Sequence, residues 1–225
     1  MNKDYPCLLV RLYPPSKEQD IEKRTYRMRI AYSDFTPPPP TWAEIFGNTN
    51  PVEVEVGFGK GAFLLALART QSQKNFFGVE FGKRLASRLV RLIERDGPSN
   101  VIVIHADFTC LVRTMIWPES VSAYHLYFPD PWWKRRHRQR RLFQADFPSA
   151  LVRTLTPGGS IFLASDVQEY FKEIVQQFGK IASLSQFPWE RDQVNKRGKL
   201  ILTDFERKYR DEGRPIFYAG FRKSE

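Results

Sequence analysis

The 225-residue chain has two cysteines, Cys7 and Cys110, in unrelated contexts. Two thiols cannot build a disulfide framework, and no C-x-x-C pair offers a metal site, so no metal is expected. Cys110 reads as a small core residue, and cysteine use this sparse fits a reducing compartment. No apolar run approaches the ~20 residues that span a bilayer. Met1 to Lys3 do not lead into a signal-type apolar segment. The chain therefore reads as soluble, not exported and cytoplasmic. There is no internal repeat and no biased tract beyond one run of prolines. Acid is the other shortage: 25 Asp and Glu face 35 Lys and Arg, a net charge of +10. That excess calls for a polyanionic partner, nucleic acid or an anionic surface.

What is present is ordinary in bulk. Hydrophobic residues make up 42 % and charged residues 27 %, as in soluble globular domains. Pro37-Pro38-Pro39-Pro40 can neither continue a helix nor donate to a ladder and favours extended geometry. Residues 1–40 thus read as an N-terminal arm and connector, with the main domain over 41–225. Strands are expected at Val52–Val56, Asn75–Glu80, Val101–His105, Ala123–Phe128, Ser160–Ala164 and, closing the sheet, Pro215–Phe221. Helices are expected at Ala62–Arg69, Lys83–Arg95, Leu142–Leu155 and Val167–Phe178. Strand–helix alternation predicts an α/β fold, a Rossmann-like, doubly wound and mostly parallel sheet.

After the first strand comes Glu55-Val56-Gly57-Phe58-Gly59-Lys60-Gly61. Glycines there permit a tight turn and close approach of a ligand to the backbone. The spacing is G-x-G-x-G and not the G-x-G-x-x-G of dinucleotide folds, which counts against an NAD-linked dehydrogenase. Glu80, ending the next strand, can accept both hydroxyls of an adenosine ribose. Glu55 would repel a pyrophosphate but attract the ammonium and sulfonium of S-adenosyl-L-methionine. Asp107, after the third strand, is placed to accept from an adenine amino group, to cap a helix, or both.

Phe128-Pro129-Asp130-Pro131-Trp132 ends the fourth strand, with prolines fixing the backbone on both sides of the acid. Ligands of open α/β sheets bind at this end of the strands, so Asp130 is a candidate for chemistry. The acid-free run Lys134-Arg135-Arg136-His137-Arg138-Gln139-Arg140-Arg141 follows. Beside the tryptophans it reads as a phosphate-backbone track, with aromatic faces for an unpaired base.

Together these blocks resemble the tRNA (guanine-N7)-methyltransferase family, in its single-chain bacterial form. The resemblance also takes in Phe77-Gly78-Val79-Glu80, Ser165-Asp166 and Thr203-Asp204-Phe205-Glu206-Arg207-Lys208, and runs from about Trp42 to Phe221. It implies that 41–225 is a methyltransferase domain of the S-adenosylmethionine-dependent type. It implies transfer of methyl to N7 of a guanine in tRNA, at position 46 of the variable loop, with no obligate protein partner and no membrane. Glu55, Gly57, Gly59, Gly61, Glu80, Asp107 and Asp130 would line the cofactor site, and Asp130 would act in catalysis. Lys134, Asp166, Thr203, Asp204, Phe205 and Glu206 would hold the target nucleotide, and Arg135, Arg136, Arg138, Arg140 and Arg141 the RNA. Trp133 stands where the family usually has proline. Methylation of another RNA base and a non-catalytic RNA-binding subunit are the alternative readings.

The chemistry accounts for what is missing. Guanine N7 carries an in-plane lone pair and no proton, so the transfer needs no strong base and no cysteine or histidine nucleophile. Alignment of donor and acceptor is worth ~7–11 kcal/mol. A carboxylate can accept both N1–H and the exocyclic amine of guanine, a role open to Asp130, Asp166 or Glu206. Lys134 is expected on phosphate or ribose, or orienting a carboxylate.

Overall fold

The computed structural model describes residues 39–132, 136, 141–144, 146–191, 193–195 and 197–225. The expected arm, Pro39 and Pro40 apart, lies outside them, as do Lys134, Arg135, Arg138 and Arg140. The described elements are α1 (Trp42–Phe46), β1 (Val52–Val56), α2 (Ala62–Thr70), β2 (Asn75–Glu80), α3 (Lys83–Asp96), β3 (Val101–His105) and α4 (Phe108–Thr114). They continue with β4 (Val121–Tyr127), α5 (Phe147–Thr154), β5 (Leu155–Ser165), α6 (Gln168–Phe178), β6 (Leu184–Phe187), α7 (Asp204–Asp211) and β7 (Phe217–Lys223).

The seven strands form one sheet in the order β3-β2-β1-β4-β5-β7-β6. β1 pairs in parallel with both β2 and β4, so the winding reverses between β1 and β4. That reversal opens a crevice at the carboxyl ends of the strands. β7 runs antiparallel to β5 and to β6. β6 therefore ends, and β7 begins, on the same rim as the crevice.

Helices α2 and α3 cover one face through Leu64, Leu67, Ala86, Leu89 and Ile93. The other face is covered by α4, α5 and α6 through Leu111, Phe147, Leu151, Ile174 and Phe178. On β1 the valines join that second core, while Glu53 and Glu55 point the other way and are still only 6 % and 3 % exposed. Glu53 is compensated: Lys74 Nζ lies 2.6 Å from Oε1, and His125 Nε2 lies 2.9 Å from Oε2. Burial opposes its ionisation, but His125 and Lys74 outweigh that and hold its pKa down at about 2.

Most expected elements match, with differences that local chemistry explains. The helix expected from Leu142 begins at Phe147, because Pro148 fits only a first helical turn. Pro157, Gly158 and Gly159, ahead of the expected strand start at Ser160, form a bulge inside β5: Val121 faces Leu155, and Ala123 already faces Ser160. The closing strand starts at Phe217, two residues beyond Pro215, which has no N–H for the ladder. Cys110 is half-buried on α4, not a core residue.

Candidate active site

The glycine turn leaves β1 at the crevice. Gly57 and Gly59 have φ of 75° and 57°, and a Cβ on either would meet nothing within 4 Å. Left-handed backbone suits glycine, and the open space above leaves two bare peptide units facing the crevice. Glu80, level with this turn at the end of β2, is half-buried. Its Oε2 accepts from the Gly59 N–H at 3.0 Å and its Oε1 from the Gly82 N–H at 2.7 Å. Each oxygen retains a second lone pair. The carboxylate is thus fixed in place with acceptor capacity toward the crevice.

Glu55 lies under the turn, between Gly78 of β2 and His125 of β4. Its Oε2 is buried and has no hydrogen-bond partner among the described residues. Burial pushes its pKa up to about 8; the Arg191 charge opposes the rise and Glu80 adds to it. A buried carboxyl beside an open glycine cradle is a place for a cation.

Asp107 caps α4. Its Oδ1 accepts from the Thr109 N–H at 2.8 Å and the Thr109 hydroxyl at 2.7 Å. Oδ2 has no hydrogen bond among the described residues. The capping role is thus realised, with one oxygen left for an amino group.

Asp130 is exposed, one strand-width from the glycine turn. Phe128 and Trp132 on either side have φ of 52° and 42°. Non-glycine residues there cost about 1–2 kcal/mol each, a strain typical of functional loops. The Phe128 N–H donates to Ala164 O at 2.8 Å, and Arg141 Nε to Pro131 O at 2.7 Å. Arg141 also binds Glu173 at 2.5 Å and covers the Tyr170 ring at 4.6 Å. Its guanidinium anchors the acid's loop and is only 13 % exposed. Arg136 is exposed.

The Thr203 to Glu206 segment starts α7. Thr203 is its N-cap, accepting from the Glu206 N–H at 3.0 Å. The Glu206 side chain does not reach back to complete a capping box; it turns inward and is fully buried. Its Oε2 meets Arg191 Nε at 3.0 Å, and its Oε1 accepts from Tyr218 OH at 2.7 Å and Arg210 at 3.2 Å. Both oxygens of Glu206 are thus engaged in buried contacts, whereas Asp130 is exposed. Asp166 pairs with Arg214 and is half-buried, and Asp204 pairs with Arg207 at 3.2 Å.

Arg191 gives no sequence signal of its own. It lies in a polar stretch without periodicity, yet its side chain is completely buried. Its guanidinium sits 4.1 Å from the Tyr127 ring, 4.7 Å from Phe63 and 5.2 Å from Trp189. Phe205 was expected at the site, but its grouping with Phe128 and Tyr209 was not legible. Phe205, 52 % exposed, lies 6.2 Å from Phe128 and 5.9 Å from Tyr209.

Comparison with known proteins agrees with this geometry. Residues 49–219 match a family model described as "Putative methyltransferase". The tRNA (guanine-N(7)-)-methyltransferase of Aliivibrio fischeri is 30 % identical over 85 % of this chain and 80 % of its own length. That of Rhodopirellula baltica is 33 % identical over 80 % and 68 %. For that of Paraburkholderia xenovorans the figures are 36 %, 67 % and 58 %, so the match spans little more than half of that relative. Among solved structures, the aminoglycoside resistance methyltransferase NpmB1 superposes with a TM-score of 0.57 at 15 % identity, over 95 % of this chain and 99 % of that one. The 16S rRNA methyltransferase KamB gives 0.57 at 13 %, over 80 % and 90 %. These two share the fold. The crevice carboxylates, the glycine turn and the extent of the sequence matches agree, and the chain belongs to the tRNA (guanine-N(7)-)-methyltransferase family.

Proposed function

We propose that this chain transfers the methyl group of S-adenosylmethionine to N7 of a guanine in tRNA, at position 46 of the variable loop, acting as a single-chain cytoplasmic enzyme. The observation that carries the reading is the buried Glu55 carboxyl beneath an open glycine turn, with one oxygen unpartnered among the described residues. S-adenosylmethionine, when bound, supplies an electrophilic methyl group on a cationic sulfur. Glu55, Gly57, Gly59, Gly61, Glu80 and Asp107 hold it: Glu80 takes the ribose hydroxyls, Asp107 the adenine amine, and Glu55 the positive charge.

Asp130 faces the reacting base. With Glu206 committed to its buried pairs, Asp130 and Asp166 are the carboxylates left for the guanine N1–H and amine. Accepting from that edge pushes electron density toward N7 and offsets the charge the ring gains. Thr203, Asp204 and Phe205 border the base, and Lys134, Arg135, Arg136, Arg138 and Arg140 follow the backbone. Arg141 supports that track by pinning the loop at Pro131. The test is to incubate the protein with methyl-labelled cofactor and unmodified tRNA, then cleave chemically at 7-methylguanine. Label in a strand break at position 46 is expected; label elsewhere, or none, overturns the reading.

Glu55 makes the cofactor step pH-dependent. With its pKa pushed up to about 8, the carboxyl is protonated at neutral pH until a cation arrives, so binding releases a proton. Affinity for S-adenosylhomocysteine, whose ammonium is retained, should rise with pH until about 8 and then level. Glu55→Gln should flatten the profile and abolish proton release, read by titration calorimetry in buffers of different ionisation heat. The sign for stability is opposite. Between 4.5 and about 8 the folded chain holds a proton that the unfolded chain has lost. Stability without cofactor therefore falls as pH rises through that window. A flat binding profile in the parent protein would separate Glu55 from the cofactor.

Phe205 serves the base. Loss of one base–aromatic stack costs about 1–3 kcal/mol. Phe205→Ala should raise KM for tRNA about 10-fold, within that range, with kcat largely kept. Unchanged KM would confine the exposed ring to packing on Tyr209.

A further inference from the structure

The first turn of α3 leaves the crevice beside Glu80, and the helix runs back down the flank of the molecule, away from Asp130. It buries Ala86, Leu89 and Ile93. Its outer face carries Arg84, Arg88, Arg91 and Arg95, all exposed. At about 100° per residue these four fall within an arc of roughly 60°, and they extend about 16 Å along the axis. Arg95 meets Asp96 at 2.5 Å. Arg84, Arg88 and Arg91 have no hydrogen bond or ion pair among the described residues.

The stripe goes against the helix's own preferences. Neighbouring arginines three or four apart repel by about 0.2–0.5 kcal/mol per pair. Lys83 and Arg84 occupy the first turn, where no acid is present, and so oppose the positive end of the helix dipole. Gly82 offers no side-chain cap. Where local rules fail together on an exposed face, a ligand is the usual compensation.

We propose that the α3 arginine stripe binds the sugar–phosphate backbone of the tRNA beyond the target nucleotide, as an electrostatic rail from the crevice down the flank. One turn of helix between guanidinium groups is about 5–6 Å. A nucleotide strand offers a phosphate at comparable intervals, and guanidinium forks match phosphate oxygens in pairs. A polyanion removes the repulsion among the arginines and between Arg84 and the helix dipole. The proposal rests on tRNA being the substrate, and it adds which flank the RNA follows.

The test compares two variants of equal net charge: Arg88→Ala/Arg91→Ala on α3, and Lys172→Ala/Lys180→Ala on the opposite face. Affinity for unmodified tRNA is read by fluorescence anisotropy from low to moderate salt. The parent's cleavage product at 7-methylguanine is read in parallel. The α3 variant should lose about 10-fold in affinity at low salt. Its slope of log affinity against log salt should shrink by roughly 1.4–1.8, at about 0.7–0.9 per phosphate contact. The control should change less than 2-fold, and both should keep the parent's affinity for S-adenosylhomocysteine, which reports an intact fold. Equal losses in the two variants would reduce the effect to overall charge and overturn the rail, as would an unchanged slope. Failure of the parent to form 7-methylguanine would overturn the substrate reading instead, and the anisotropy comparison would still decide the rail.

Discussion

Replacing Asp130 with asparagine should lower turnover about 100-fold or more, with affinity for S-adenosylhomocysteine kept within a few-fold. The size follows from the role. Loss of one preorganised group aimed at developing charge costs about 2.7–4 kcal/mol, and about 2.7 kcal/mol is a factor of 100. The amide keeps the volume and one acceptor but loses the negative charge and one acceptor oxygen. Asp130 is exposed on a loop held at both shoulders, by Phe128 to Ala164 and by Arg141 to Pro131. The substitution therefore leaves the fold untouched. Single-turnover kinetics separates the step from product release, and near-normal turnover would remove Asp130 from the chemistry.

The second large effect is expected at Arg191. Its side chain and that of Glu206 are both 0 % exposed, and their N–O distances are 2.9–3.0 Å. Removing one member of a buried ion pair costs about 3–5 kcal/mol, because it strands the other's charge. Arg191→Met should thus destabilise the protein by about 3 kcal/mol, the lower end of that range. Arg210 and Tyr218 still hold the other Glu206 oxygen. For a chain of this size that is roughly 6–12 °C in melting temperature. Glu206→Leu should cost more, since it leaves a guanidinium buried among rings with no anion at contact distance. Arg191→Lys should recover only part, because a single ammonium cannot reproduce the fork. Urea unfolding of the four proteins measures the series. A loss below 1 kcal/mol for Arg191→Met would mean that water reaches the pair.

Three strands, β1, β2 and β3, could be read from sequence close to their true limits because they are short, buried runs bounded by turn residues. The outer elements were harder. Helix α4 is brief and follows Asp107, whose capping role was legible while the helix was not. Strand β6, Leu184–Phe187, is an edge strand of mixed polarity, with Ser185 and Gln186 exposed, so no alternation announces it. At the site, the glycine turn and Glu55, Glu80, Asp107 and Asp130 were legible because each sits at the end of a recognisable strand. Glu206 was named through the family resemblance, but its orientation was not legible, since that depends on Arg191, fifteen residues earlier and in no pattern. Contacts that join separate segments through a single side chain leave no period in the chain.

The antiparallel placement of β7 between β5 and β6 has a consequence for how such an enzyme can vary. A strand running the other way brings the chain out and back on one rim, so residues 188–216 form a closed excursion anchored at both feet. Loop closure penalises extra length only weakly, about 0.6 kcal/mol per doubling. Its exposed turns, at Gly198 and Gly213, can therefore lengthen or change charge without altering any strand partner, while Arg191, Ile201 and Glu206 stay buried. Length and charge at those turns can thus drift while these buried side chains hold the excursion to the sheet.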